Sequence, residues 1–146
     1  MTFNRRVAIT AIGIALGSLA ISLAAQSGET FKARLSAAVA DAKTRAGLTG
    51  SGSASAILSG TKLSITGSFE GLLSPATKAD LHSAVAAGVR GPVIADLTVA
   101  KTASGTISGS VDLTPAQLTS LRKGGFYIQI YSEKTPDGAL WGWLLR

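Results

Sequence analysis

The pair Asp80 and His82 is the first candidate for chemistry in this chain of 146 residues, because His82 is its only histidine. The two positions are two residues apart, so on a strand both side chains would lie on the same side of the sheet. A metal site needs about three protein ligands, and the chain has no cysteine and no second histidine to complete the set. We therefore expect His82 to make ordinary hydrogen bonds, for instance with Asp80 or Tyr131. A metal-binding or redox site that uses Asp80 and His82 is the alternative.

Other catalytic patterns are missing from the sequence. Serine is abundant, but a Ser-His-Asp triad needs a histidine between the other two members, and no "GxSxG" nucleophile motif occurs. The glycine-rich string "GSGSASA" has no lysine and no strand-to-helix context, both of which a phosphate-binding loop requires. We predict a protein that is not an enzyme and that carries no cofactor.

The aromatic residues near the C-terminus are the most unusual part of the sequence. In "ALWGWLL", Trp141 and Trp143 share one face of the predicted strand, and in "FYIQIYS", Tyr127 and Tyr131 do the same. The opposite faces are apolar: Phe126, Ile128, Ile130, Leu140 and Leu144. Only one face of this hairpin can fill a core, and tryptophan and tyrosine are enriched at protein interfaces. We therefore predict a partner-binding surface of Trp141, Trp143, Tyr127 and Tyr131, with the final strand at the edge of a sheet.

The elements that must position these residues are mostly short strands separated by turns. Alternating apolar residues predict strands in "TFKARLSAAVA", "SAILSGTKLSITGSF", "GPVIADLTVA" and "GTISGSVDL", as well as in the C-terminal hairpin. The run "ATKADLHSAVAAGV" is compatible with a strand or a short helix. In "LTPAQLTSLRKGG", Thr114 as N-cap, Pro115 at the first position and Gly124 at the end predict one helix. About seven strands and one helix indicate an all-β sandwich or barrel.

The N-terminus has the layout of an export signal. Arg5 and Arg6 precede an uncharged apolar run over residues 7–25, and small residues follow it. We predict that residues 1–25 are a cleaved signal peptide or a retained anchor in the inner membrane, and that residues 26–146 form one domain in the periplasm or outside the cell. The formal charge is +6, and two of the positive charges belong to the leader. The other basic residues are scattered singly except for Arg122 and Lys123, whereas nucleic-acid binders cluster such charges on one face. We therefore expect no nucleic-acid partner.

Five segments in the same order give the chain its resemblance to the CHRD domain, a family first described in chordin and common in bacterial exported proteins. They are "FKARLSAA", "GSFEGLLSPATKADLH", "AGVRGPVIADL", "GSVDLTPAQLTSLRKGGFYIQIYS" and "PDGALWGWL". The similarity covers roughly residues 31–146. It implies an immunoglobulin-like Greek-key β-sandwich.

The chain departs from the polar pattern of that family at four of five positions. Where members often carry histidine, this sequence has Asp80, His82 and Tyr131, and in place of their glutamate and arginine it has Ala139 and Trp141. Only His82 keeps its type. The resemblance therefore supports the fold more than it supports a reactive site.

From these observations we expect a non-enzymatic exported module that binds a protein partner. Its location and size suggest an accessory or stabilising subunit of a periplasmic or membrane-bound complex, of which a dehydrogenase is one candidate. A carbohydrate- or surface-binding module that uses the same aromatic residues is a third hypothesis.

Overall fold

The computed structural model describes residues 28–38 and 48–146. The predicted leader, residues 1–25, lies outside this range. Within it there are eight strands and one helix: β1 Glu29–Ala37, β2 Ser51–Ser59, β3 Lys62–Glu70, β4 Ala76–Ser83, β5 Val93–Val99, β6 Gly105–Asp112, α1 Pro115–Arg122, β7 Phe126–Ser132 and β8 Leu140–Trp143. Among the described residues, no helix has the length and apolar character needed to cross a bilayer.

The eight strands form one closed barrel in the order β1-β2-β3-β6-β5-β4-β7-β8. All neighbouring strands are antiparallel. β3 lies beside β6, whereas β4, β5 and β6 are consecutive neighbours, which is a Greek-key arrangement. The predicted all-β class with one short helix is confirmed, with eight strands instead of about seven. The hydrogen bonding is continuous around the barrel, so the predicted immunoglobulin-like sandwich is not confirmed by the strand pairing.

The final strand does not lie at a sheet edge, and that prediction is wrong. β8 pairs with β7 on one side, and on the other side Ser36 and Ala37 of β1 pair with Trp141 and Leu140. An isolated bridge between Lys32 and Leu145 extends this seam. A closed barrel has no free edge, and a pattern of alternation along one strand cannot reveal which strand will close it.

The barrel interior is filled by the alternating apolar residues of the strands. On β1, Phe31, Ala33 and Leu35 are buried between exposed neighbours. Leu63 and Ile65 of β3 point the same way after the tight turn at residues 60–61. The "ATKADLHS" run is a strand, which removes the helix alternative.

Helix α1 begins and ends as the sequence predicts. The Thr114 hydroxyl accepts from the Gln117 backbone N–H at 3.2 Å, and the Gln117 side chain accepts from the Thr114 backbone N–H at 2.9 Å. These two bonds satisfy N–H groups that have no partner within the helix. Gly124 follows with φ +77, a conformation that glycine adopts without a side-chain clash.

The barrel has two distinct ends. At the helix end lie the start of β1, the turn at residues 60–61, the loop of residues 84–92, α1 and the last residues of the chain. At the loop end lie the connections of residues 71–75, 100–104 and 133–138. The candidate site lies on the outer wall between these two ends.

Candidate functional site

The predicted metal candidates and the predicted aromatic surface form one group of residues on the outer face of β4, β7 and β8. Strand register places Asp80, Gln129 and Trp141 in one row. It places His82, Tyr127 and Trp143 in the next row. The other face of the hairpin, which includes Ile128 and Leu140, is fully buried in the barrel. We call Asp80, His82, Arg90, Tyr127, Tyr131, Trp141 and Trp143 the outer cluster.

His82 is held by three contacts and is 6% exposed. Its Nδ1 lies 2.9 Å from the Gly91 carbonyl oxygen, which can only accept, so Nδ1 carries a proton and donates. Its Nε2 is 3.3 Å from the Tyr131 hydroxyl, and in the neutral imidazole this nitrogen accepts from that hydroxyl. The imidazole also stacks on the Tyr127 ring, with centroids 4.5 Å apart and planes 12° apart. The expectation that His82 makes ordinary hydrogen bonds, including one with Tyr131, matches this geometry.

Tyr131 remains a hydrogen-bond donor over a wide pH range. Partial burial of the phenol, and next the negative charge of Asp80, raise the pKa of Tyr131 to about 12. Both effects disfavour the phenolate. A tyrosine in this setting is a poor metal ligand at neutral pH, because coordination needs the deprotonated oxygen.

Asp80 is a buried carboxylate, only 1% exposed, on the outer side of the barrel wall. The Lys78 ammonium lies 3.2 Å from its Oδ1 and 3.5 Å from Oδ1 of Asp96. Apart from this ion pair with Lys78, Oδ1 of Asp80 has no hydrogen-bond partner. The Asp80 carboxylate raises the pKa of Lys78, which keeps the ammonium charged.

The donor set of this group does not match a complete metal site. As predicted, Asp80 and His82 lie on the same side of β4, and the Nδ1 of His82 donates to a carbonyl, as in many metal-bound histidines. However, the Tyr131 hydroxyl lies beside Nε2, on the side of the ring from which a metal ion would have to bind. No group of three or more histidine, aspartate or glutamate side chains in the described part of the chain could hold an ion.

The aromatic side chains are layered outwards from the sheet. Tyr127 is 1% exposed, and its hydroxyl donates to the carbonyl of Gly91 and accepts from its N–H, both at 3.2 Å. Trp143 lies against the Tyr127 ring with centroids 4.5 Å apart, and Trp141 is 6.0 Å from both rings. Both tryptophans are partly exposed. Of the four predicted contact residues, Tyr127 therefore has almost no surface for a partner.

Arg90 and Gly91 are parts of the site that sequence reasoning missed. The Arg90 guanidinium lies 5.4 Å from the Trp141 ring centroid, which is within the range of a cation–π contact. A Cβ at position 91 would overlap the carbonyl oxygen of Ser83, so the loop can approach the sheet here only with glycine. Arg90 resembled one of many scattered basic residues. The "RGP" sequence was a signal for a tight loop, but it did not show what the loop covers.

Four of the five polar positions of the family pattern meet in the outer cluster. Asp80, His82, Tyr131 and Trp141 lie on adjacent strands on the outer face, whereas Ala139 is 2% exposed and joins the hydrophobic core. The replacement of an ionisable residue by alanine at that position leaves no carboxylate there to take part in the cluster.

A family model described as the CHRD domain matches residues 31–144. The matched range contains every residue of the outer cluster. No curated protein and no solved structure matches the chain.

Proposed function

The chain belongs to the CHRD domain family, and from that premise we propose that it is a non-enzymatic exported module that binds a protein partner through its outer cluster. The contact residues are Trp141, Trp143, Tyr131 and Arg90, and Tyr127 supports them from below. We also propose that the fold is related to the immunoglobulin-like sandwich, as the family resemblance implies.

One observation carries the proposal: two partly exposed tryptophans are held side by side on a rigid support. Trp141 and Trp143 are neighbours on one strand face, with ring centroids 6.0 Å apart. Beneath them the Tyr127 ring is fixed by its stacking on His82 and by its two bonds to Gly91. Such side chains lose little freedom when a partner binds, so more of the contact energy appears as affinity.

The exposed cation beside the tryptophans gives the surface a chemical preference. Arg90 is exposed, lies over Trp141 and forms no ion pair with another described residue. A partner segment with an aromatic or aliphatic side chain next to a carboxylate would match both groups. Tryptophan and arginine are the residue types that most often dominate binding energy at interfaces.

The wider role that we propose is that of an accessory or stabilising subunit in a periplasmic or membrane-bound complex. The leader-like sequence of residues 1–25 supports a location outside the cytoplasm. A dehydrogenase in the membrane is one candidate for the larger partner, on the grounds of location and size alone. The protein would then be in the periplasm, secreted or anchored by residues 7–25.

Co-purification from detergent-solubilised membranes tests this proposal. The tagged chain should retain a partner, and Trp141→Ala or Trp143→Ala should weaken its retention by roughly thirtyfold, since truncating an interface anchor often costs about 2 kcal/mol or more. Leu73→Ala is the matched control, because Leu73 is a large apolar side chain that is 50% exposed at the loop end. Elution of the wild-type chain alone as a monomer would contradict the proposal. Binding to a glycan array that depends on the same tryptophans would favour the carbohydrate hypothesis instead.

The alternative function is metal binding or redox chemistry at Asp80 and His82. What favours it is the buried Oδ1 of Asp80, which has no hydrogen-bond partner besides the Lys78 ammonium, on the same face as an oriented imidazole. Elemental analysis of the purified protein, with and without His82→Ala, separates the two proposals. Stoichiometric metal that His82→Ala removes would favour the alternative. Substoichiometric metal that is the same in both proteins would count against it.

A further inference from the structure

The helix end of the barrel carries most of the exposed apolar side chains of the described residues. Val85 is 84% exposed, Val89 44% and Leu145 49%, and Val93 at the start of β5 is 46% exposed. Leu73 is the one large apolar side chain exposed to a similar degree at the loop end. The helix end therefore differs from the loop end in the apolar surface it presents.

The loop of residues 84–92 approaches the C-terminus at this end of the barrel. A Cβ placed at Gly124 would lie 2.9 Å from Leu145 Cδ2 and 4.0 Å from the Cβ of Ala87. Leu145 and Ala87 are thus near neighbours across Gly124. We call Val85, Ala87, Val89 and Leu145 the valine tip.

Basic residues surround the valine tip. Lys123 is exposed at the end of α1, next to Gly124, and Arg122 and Arg146 are 46% and 59% exposed. Both arginines contact one carboxylate, Glu29, so the three side chains together carry one net positive charge. At the loop end, the acids Glu70, Glu133 and Asp137 outnumber Lys101 and Lys134. The charge of the helix end therefore complements an anionic surface.

The chain enters the barrel at this same end. β1 begins at Glu29, and only residues 26–28 separate it in the sequence from the uncharged run of residues 7–25. If that run stays in a bilayer, so short a connection would hold the helix end near the headgroups, since three residues span at most roughly 11 Å.

We propose that the helix end of the barrel lies against an anionic lipid bilayer. The valine tip enters the interface between headgroups and acyl chains, and Lys123, Arg122 and Arg146 lie at the level of the lipid phosphates. Apolar burial combined with attraction to anionic lipids is the usual basis of interfacial binding. In this orientation the tryptophans of the outer cluster lie on the side wall, where they remain open to a protein partner.

Site-specific fluorescence on the protein as isolated from the exporting cell tests the proposal. The chain has no cysteine, so Val85→Cys labelled with an environment-sensitive fluorophore reports on that position alone. With vesicles of phosphatidylglycerol and phosphatidylethanolamine, the emission should shift to the blue and become brighter. Leu73→Cys, equally labelled at the loop end, is the control and should not change. Both positions are exposed, so neither label should disturb folding.

A label at Val85 that behaves like the label at Leu73 would overturn the proposal. An equal blue shift on vesicles of phosphatidylcholine alone would overturn the role of the basic residues and of anionic lipid. A blue shift at Val85 produced by a co-purifying protein without vesicles would assign the tip to a protein. Because this experiment reads a label at Val85 and not the retention of a partner, failure here would leave the co-purification result of the tryptophan variants unaffected.

Discussion

At the scale of single residues, some members of the outer cluster support the exposed surface of the cluster and others form it. Tyr127 has the aromatic character of a contact residue, but it is buried, and both of its polar contacts go to Gly91. His82, the candidate for chemistry, has both ring nitrogens within hydrogen-bond distance of protein groups. The Tyr127 hydroxyl and Nδ1 of His82 hold the loop of residues 84–92 on the sheet, whereas Nε2 of His82 contacts Tyr131 of β7. The exposed surface is left to Trp141, Trp143, Tyr131 and Arg90.

Tyr127→Phe tests this supporting role. The ring would keep its stacking on His82, but the Gly91 backbone would lose its partner hydroxyl, so we expect a loss of about 1 kcal/mol in the free energy of unfolding. Urea unfolding measures this loss, and amide hydrogen exchange should become faster in residues 84–92. Val85→Ala is the control, since Val85 is 84% exposed and takes no part in the hydrogen bonds between Tyr127 and Gly91. Unchanged exchange in the loop of the Tyr127 variant would contradict this role.

At the scale of elements, α1 is determined by its own ends more than by its packing. Leu121 is its one buried residue, so the helix has little core contact to stabilise it. Thr114 and Gln117 supply the reciprocal cap, Pro115 occupies the first position and Gly124 ends the helix. These are local signals, and this is why the sequence predicts the helix and its boundaries correctly.

Removing the cap should therefore destabilise the helix. We expect Thr114→Ala to lower the free energy of unfolding by about 1 kcal/mol, because the Gln117 N–H would lose its acceptor. Thr119→Ala on the same exposed helix is the matched control and should change stability by less than about 0.5 kcal/mol. Chemical denaturation of the two variants beside the wild type is the measurement. Equal losses in the free energy of unfolding of the two variants would contradict a stabilising role of the cap.

At the scale of the whole molecule, Glu29 joins the start of β1 to α1 and to the C-terminus. Its carboxylate contacts both Arg122 and Arg146. Hydrogen bonds from Arg122 and then from Arg146 lower the pKa of Glu29 from 4.5 to about 2. The folded chain therefore holds this group ionised at a pH where the unfolded chain binds a proton.

The consequence is a loss of stability in acid. The contribution of Glu29 is complete above about pH 4.5 and is lost as the pH falls from there to about 2. In Glu29→Gln this part of the pH dependence should disappear, and the melting temperature near neutral pH should be lower than in the wild type. Thermal unfolding from pH 2 to 7 measures both effects. Glu70→Gln, which removes a carboxylate that forms no ion pair with another described residue, should keep the wild-type dependence.

By itself, the sequence determined the features that depend on short-range order. Local signals predicted the strands, the turn at residues 60–61 and the caps of α1, and these predictions are confirmed. The family, predicted from the order of five segments, is confirmed as well. The tertiary structure alone decided which face of the C-terminal hairpin fills the core, because both faces are rich in large apolar or aromatic side chains. It also decided that β8 closes a barrel, and that Asp80 and His82 lie in the same cluster as the tryptophans. These outcomes depend on which distant strands pair with one another, and the pattern within one strand does not specify its neighbours.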